Sequence, residues 1–157
     1  MKPAELRLLS ELVKDSRRSD RKLAKAIGVS QPTATRIRAK LEKEKVIKEY
    51  TMIPDFHKLG FEIFAITFLV VDKEPDSQQL ERTLNTFQNV LTFERGLGSK
   101  YSHVVVSLHE NYSSYTEFEG KIKDSLAATN STSFLVSLND GNGFFSFSAL
   151  AKARAFC

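Results

Sequence analysis

Between Ser30 and Arg38 the chain reads SQPTATRIR, and five side chains within it, Gln31, Thr33, Thr35, Arg36 and Arg38, carry groups that match the edges of nucleic-acid bases. A carboxamide can meet adenine through two hydrogen bonds, a guanidinium can meet guanine the same way, and a threonine offers thymine a methyl group and a phosphate a hydroxyl. Around them stand less discriminating groups: Arg17, Arg18, Arg21, Lys22 and Lys25 before the stretch, Ser30 at its start, and Lys40, Lys45 and Lys48 after it. These suit phosphate oxygens, and phosphate contacts position a protein on a duplex without telling one sequence from another.

Other chemistry is thinly represented. His57, His103 and His109 are the only histidines, and they stand without metal-ligand spacing or a paired nucleophile. The sequence shows neither a phosphate-cradling glycine loop nor a close carboxylate pair. The single cysteine, Cys157, ends the sequence, so neither an intrachain disulfide nor a cysteine zinc cluster is expected. The expectation is a protein that is not an enzyme and needs no metal or cofactor.

Local signals define the elements that must hold the SQPTATRIR groups. Leu6, Leu9 and Val13, with Leu8 and Leu12 beside them, recur at helical spacing after Pro3, which predicts a first helix over about residues 3 to 15. Ser19 is placed to cap a second helix over about 20 to 27, with Leu23, Ala24 and Ile27 inward and Gly28 at its end. Ser30 then caps a third over about 31 to 43, with Pro32 in its first turn and Ala34, Ile37 and Leu41 inward. Two short helices joined through GVS make a helix-turn-helix, whose second helix enters the major groove. The alternating stretch VIKEYTMI after it is expected to open a β-hairpin wing at Val46 and Ile47.

Charge separates this part from the rest. Residues 1–60 hold 15 Lys and Arg against 8 Asp and Glu, whereas residues 61–157 hold 8 against 11. A basic first part attracts polyanions and an acidic second part does not. Composition changes at the same place, because aromatic and β-branched residues crowd in after Gly60, so a boundary falls near Pro54 to Gly60. Residues 1–60 are read as one domain with its wing and linker, and residues 61–157 as a second. No apolar run is long enough to span a bilayer, and the first residues have helical periodicity with charges throughout, so a cytoplasmic protein without membrane contact is expected.

The second domain alternates strand and helix signals. IFAITFLVV, residues 63–71, reads as a central strand, and Leu80, Leu84 and Phe87 mark a helix. VLTFERGL and YSHVVVSLH form a hairpin, Tyr115, Phe118, Ile122 and Leu126 share one helical face, and STSFLVSL is a fourth strand. The order βαββαβ is the ferredoxin-like arrangement, and its two helices leave one sheet face for something else to cover. Pairing of two copies through that face is the economical solution. The tail NDGNGFFSFSALAKARAFC, with Phe145, Phe147 and Ala149 alternating with serines, is read as an extra strand followed by a short helix.

These residues carry a resemblance. LAKAIGVSQPTATRIRAKLEKEKVIKEYT is similar to the winged helix-turn-helix of the Lrp/AsnC, or feast/famine, transcription regulators, and the βαββαβ order is similar to the domain that follows it there. The resemblance, covering about residues 5 to 140, implies an α+β protein in which an N-terminal winged helix-turn-helix precedes a ferredoxin-like dimerisation and effector domain. Its implied partners are double-stranded DNA, a second copy of the chain in a homodimer or larger ring, and a small-molecule effector. The implied effector residues are Gly98, Ser99, Lys100, Tyr101 and Ser102, in the loop between the second and third strands. Two departures stand out: Lys45 replaces the family's glycine before the wing, and Lys100 and Ser102 replace its polar and acidic loop positions. Relatives with the same two-domain layout decarboxylate tetrapyrroles, which keeps an enzyme as an alternative. A protein-interaction module without sequence-specific DNA binding is another.

Overall fold

The computed structural model describes residues 1–73, 76–97 and 99–139, and these fall into two compact units that divide between Ile53 and Pro54. The extra strand and short helix expected in the tail lie outside the described residues, as does Gly98.

The first unit holds three helices, α1 (Pro3–Lys14), α2 (Asp20–Ile27) and α3 (Gln31–Lys43). Their ends are set by local chemistry. The Ser19 hydroxyl accepts from the Lys22 N–H, the Ser30 hydroxyl accepts from the Thr33 N–H, and Gly28 stops α2 at φ 72°, a left-handed conformation that costs glycine least. Leu8, Leu12, Leu23, Ala24, Ile27, Ala34 and Leu41 form the core, with Ile37 and Ile47 half-buried against it. Fully burying a leucine such as Leu8, Leu23 or Leu41 contributes roughly 1.5–3 kcal/mol. Of the α1 leucines, Leu8 and Leu12 are buried and Leu9 packs half-buried against the core, while Glu5, one turn before Leu8, is also buried and pairs with Lys40.

The end of α3 explains Lys45. Its N–H bonds to the Glu42 carbonyl at 3.0 Å and the Val46 N–H bonds to the Leu41 carbonyl at 2.9 Å, the paired bonds of a Schellman stop. That stop needs a left-handed residue, and Lys45 supplies it at φ 54°. The β-hairpin expected from Val46 and Ile47 is not found: among the described residues, 44–56 form no strand. Tyr50 folds back onto α3 through Glu42, and Val46, Tyr50, Met52 and Ile53 are exposed with no neighbouring strand to pair with among the described residues.

The second unit opens with a 3-10 turn at His57–Leu59 and continues through β1 (Ile63–Val71), α4 (Ser77–Thr86), β2 (Val90–Arg95), β3 (His103–His109), α5 (Tyr112–Ser125) and β4 (Ala128–Ser137). The strands form one antiparallel sheet in the order β2-β3-β1-β4, the ferredoxin-like topology. Period-two alternation divides β1 between two environments. Ala65, Thr67, Leu69 and Val71 are buried, and Leu69, Val71 and Val105 pack with Phe118, Ile122 and Leu126 of α5 and the turn after it. Phe64, Ile66, Phe68 and Val70 point to the opposite face and are only half-buried. Among the described residues β1 is therefore covered on one face and not on both. On that open face Ile66 lies between Val106 and Phe134, and Phe134 remains 64% exposed.

Candidate nucleic-acid interface

Helical geometry sorts the side chains of α3. With Ala34, Ile37 and Leu41 inward, a 100° step per residue places Pro32, Arg36, Ala39 and Lys43 on the outward face. Gln31 and Arg36 are exposed, and neither side chain has a hydrogen bond or ion pair among the described residues. Thr33 is half-buried, with its hydroxyl 2.8 Å from that of Ser30. Thr35 and Arg38 sit elsewhere. The Thr35 hydroxyl donates to Asp20 Oδ2 at 2.7 Å, while Arg38 Nη1 lies 3.0 Å from Asp20 Oδ1 and Nη2 donates to the Arg18 carbonyl at 2.7 Å. The Arg38 guanidinium also lies 5.9 Å from the centre of the Tyr50 ring. The phenol of Tyr50 donates to Glu42 at 2.7 Å, and burial together with that bond pushes its pKa up to about 12.

The expected phosphate contacts divide in the same way. Arg21, Lys22, Lys25, Lys45 and Lys48 are exposed, and Arg17 keeps a 3.8 Å contact with Asp15 while 94% exposed. Such a contact is screened and easily exchanged. Arg18 is paired with Glu11. Lys40 donates to Glu5 at 2.7 Å, and Glu5 also accepts from the Lys2 N–H, which together hold its carboxyl below the usual range. Arg18 therefore ties the loop after α1 back to that helix, and Lys40 joins α3 to α1. Lys43 is a surface cation that sequence reasoning passed over; its place one heptad after Arg36 was the available signal.

In the second unit the candidate effector loop is partly built into the sheet. The Ser102 hydroxyl accepts from the Val71 N–H at 2.8 Å and lies 2.9 Å from His103 Nδ1, and the Ser102 N–H donates to the Leu69 carbonyl. It acts as a side-chain stitch at the end of β1. The Ser99 hydroxyl accepts from the Tyr101 N–H at 3.1 Å, Lys100 Nζ lies 5.0 Å from the centre of the Tyr101 ring, and that ring packs on Phe68. Bonds to Thr132 and then Lys100 lower the Tyr101 pKa. His57 lies in the 3-10 turn, and His103 and His109 are buried in β3. No group of three His, Cys, Asp or Glu that could hold a metal occurs among the described residues, and no described helix is long and apolar enough to cross a membrane.

Comparison with known proteins adds to this geometry. Residues 1–48 match the family model described as winged helix-turn-helix DNA-binding. An uncharacterized HTH-type transcriptional regulator of Pyrococcus abyssi is 32% identical over 126 residues, covering 76% of this chain and 83% of that protein. The structure of Bacillus subtilis LrpC superposes with a TM-score of 0.73 at 26% identity, over 87% of this chain and 94% of that one. A Neisseria meningitidis transcriptional regulator in complex with L-methionine shares the fold, with a TM-score of 0.76 at 14% identity over 87% of this chain and 89% of that one. A helix-turn-helix with an outward cationic helix, followed by a ferredoxin-like sheet, defines the class: a DNA-binding transcriptional regulator. Within that class the chain belongs to the Lrp/AsnC family.

Proposed function

We propose that this regulator is sequence-specific, that it reads duplex DNA with the N-terminal half of α3, and that it works in the cytoplasm as a homodimer whose second domain takes a small-molecule effector. The observation that carries the reading is the contrast within α3: the Gln31 and Arg36 side chains are exposed without a partner among the described residues, whereas Thr35 and Arg38 are engaged by Asp20. Gln31 and Arg36 are thus the base readers, with Thr33 beside them. Arg17, Arg21, Lys22, Lys25, Lys43, Lys45 and Lys48 attract the phosphates, and the Ser30 cap sits where a phosphate would approach the start of α3. Arg18 and Lys40 support the fold.

The two further parts of the proposal rest on the second unit. The half-buried Phe64, Ile66 and Phe68 with the exposed Phe134 form the face through which two copies pair. Ser102 is bound into the sheet and brings no charge, so Lys100 is the ionic group the loop offers, which favours an effector with an anionic group.

The test of base reading is selection of bound fragments from a random duplex pool, followed by affinity measurement over a salt series. Gln31→Ala and Arg36→Ala should each relax preference at one base position, at a cost of about 1–3 kcal/mol. Lys22→Ala should weaken all sequences alike and lower the log–log salt slope by about one. If the three variants behave alike, the separation of readers from phosphate contacts is wrong.

A further inference from the structure

Asp20 opens α2, one residue after the Ser19 cap, yet its carboxylate reaches two side chains of α3. One oxygen accepts the Thr35 hydroxyl at 2.7 Å, a hydroxyl that also reaches the Gln31 carbonyl at 3.1 Å, and the other makes an ion pair with Arg38 Nη1 at 3.0 Å without a hydrogen bond of its own. The Asp20 and Arg38 side chains are only 21% and 22% exposed, so the pair is shielded from the screening that makes surface ion pairs weak. Arg38 then continues the network, since its Nη2 bonds to the carbonyl of Arg18, the residue that enters the Ser19 cap, and its guanidinium lies by the Tyr50 ring. Thr35, Arg38 and Glu42 follow one another at i, i+3 and i+7, so one stripe of α3 makes contacts from its second turn to its last.

We propose that Asp20 is a specificity-determining positioning residue: by holding Thr35 and Arg38 it fixes the rotation of α3 about its own axis, and so decides that Gln31 and Arg36 are presented to the base edges. This rests on the reading of α3 as the DNA-reading helix. Packing by itself sets rotation loosely here, because the inward residues of α3 include the small Ala34 and the half-buried Ile37, with Leu41 as the one large fully buried anchor. A bidentate contact between an arginine and guanine tolerates little misalignment, so a helix free to roll keeps its charge near the phosphates while losing register with the bases. Asp20 itself repels phosphate. Its placement beside a DNA-facing helix weakens non-specific attraction while sharpening specific recognition.

The experiment uses the full chain well below its unfolding temperature. The wild type first selects a preferred sequence from a random duplex pool. Affinities for that sequence and for a scrambled duplex are then measured for the wild type, Asp20→Asn, Asp20→Glu and Thr35→Ser. Asp20→Asn should lower the ratio of specific to scrambled affinity by about tenfold, the scale of one degraded base contact, with scrambled binding equal to or tighter than wild type. Asp20→Glu keeps the charge in the first turn of α2 but displaces the carboxylate by one methylene, and it should lose a similar part of the ratio. Thr35→Ser keeps the hydroxyl and should retain the wild-type ratio. An Asp20→Asn protein that stays folded with an unchanged ratio overturns the proposal and leaves Asp20 a stabilising residue only. Tighter specific binding with a new base preference overturns it too, since Asp20 would then be holding Arg38 away from a base. If Asp20→Asn fails to fold, Asp20→Glu and Thr35→Val decide the matter by the same ratio. A wild type that selects no sequence defeats the reading of α3 itself, which is a separate outcome.

Discussion

His109 and Lys45 occupy positions that their side chains do not favour. His109 is 2% exposed, with Nδ1 3.2 Å from the Asn89 amide nitrogen and Nε2 2.8 Å from the Ser107 hydroxyl. The amide nitrogen can only donate, so Nδ1 accepts, Nε2 carries the proton, and the ring is neutral. Burial lowers its pKa from 6.5 to about 4. The unfolded chain binds the proton first, so the stability contributed by neutral His109 is fully present above pH 6.5 and is lost as pH falls from there towards 4. Thermal unfolding measured across that interval should show stability falling by on the order of 1 kcal/mol per pH unit, and His109→Gln should flatten the slope. An unchanged slope in the variant would show that other groups dominate acid unfolding. Lys45 is the second case. A left-handed non-glycine residue costs on the order of 1 kcal/mol, so Lys45→Gly should stabilise the first unit by about 0.5–1 kcal/mol even after the added freedom of the unfolded glycine is counted. If its ammonium meets a phosphate, the same variant should bind DNA more weakly, with a salt slope reduced by about one. Unchanged stability together with unchanged affinity would defeat both halves of this account.

At the scale of elements, what was legible in the sequence was whatever is decided locally. Ser19, Gly28, Ser30 and Pro32 mark the ends of α2 and α3 because caps act within a turn of themselves, and the structure places those ends at Asp20, Ile27, Gln31 and Lys43. Replacing Ser30 with Ala should accordingly cost about 1 kcal/mol of stability, measured by denaturant unfolding, because the Thr33 N–H loses its acceptor. Ala127, left-handed at φ 49° after α5, repeats the Lys45 situation where no turn residue announces it, and Ala127→Gly should stabilise by a similar amount. Elements that depend on distant partners were harder to read. β4 begins at Ala128 and not near Ser131, since its polar first residues are strand only by virtue of pairing with Val70 and Val71. The hairpin expected at Val46 and Ile47 was not legible for the same reason: alternation in VIKEYTMI says which side chains could share a face, but a strand also needs a neighbour, and residues 44–56 have none among the described residues. Within the candidate site, exposure of Arg36 followed from helical phase and that of Gln31 from its place as the first residue of α3. The engagement of Thr35 and Arg38 did not, because Asp20 lies 15 residues before Thr35 and charge composition does not reveal which ions are paired.

For the whole molecule, the two units present two kinds of surface, one cationic and one apolar. The first unit concentrates cations, and part of that charge is consumed internally: Glu5, Glu11 and Asp20 neutralise Lys40, Arg18 and Arg38, so the field available to DNA comes from Arg17, Arg21, Lys22, Lys25, Arg36, Lys43, Lys45 and Lys48. The second unit exposes an apolar sheet face. A chain that leaves Phe134 64% exposed beside Ile66, with Phe64 and Phe68 half-buried, carries an aggregation hazard unless a defined partner covers the face. Homodimerisation through it would also give the DNA reader a two-fold form, because each half-site then meets an identical helix and affinity rises through linkage of the two contacts. Phe134 is the residue on which to test this, since it is already exposed and its replacement leaves no cavity. Phe134→Lys should preserve the far-ultraviolet circular dichroism spectrum, shift the mass in sedimentation equilibrium from two chains to one, and lower affinity for a selected duplex far more than for a single half-site. The salt slope should fall towards half, because a lone chain neutralises half as many phosphates. A wild type that sediments as a single chain, or a Phe134→Lys protein that keeps the wild-type mass, would place the pairing surface elsewhere and leave the open face without its proposed role.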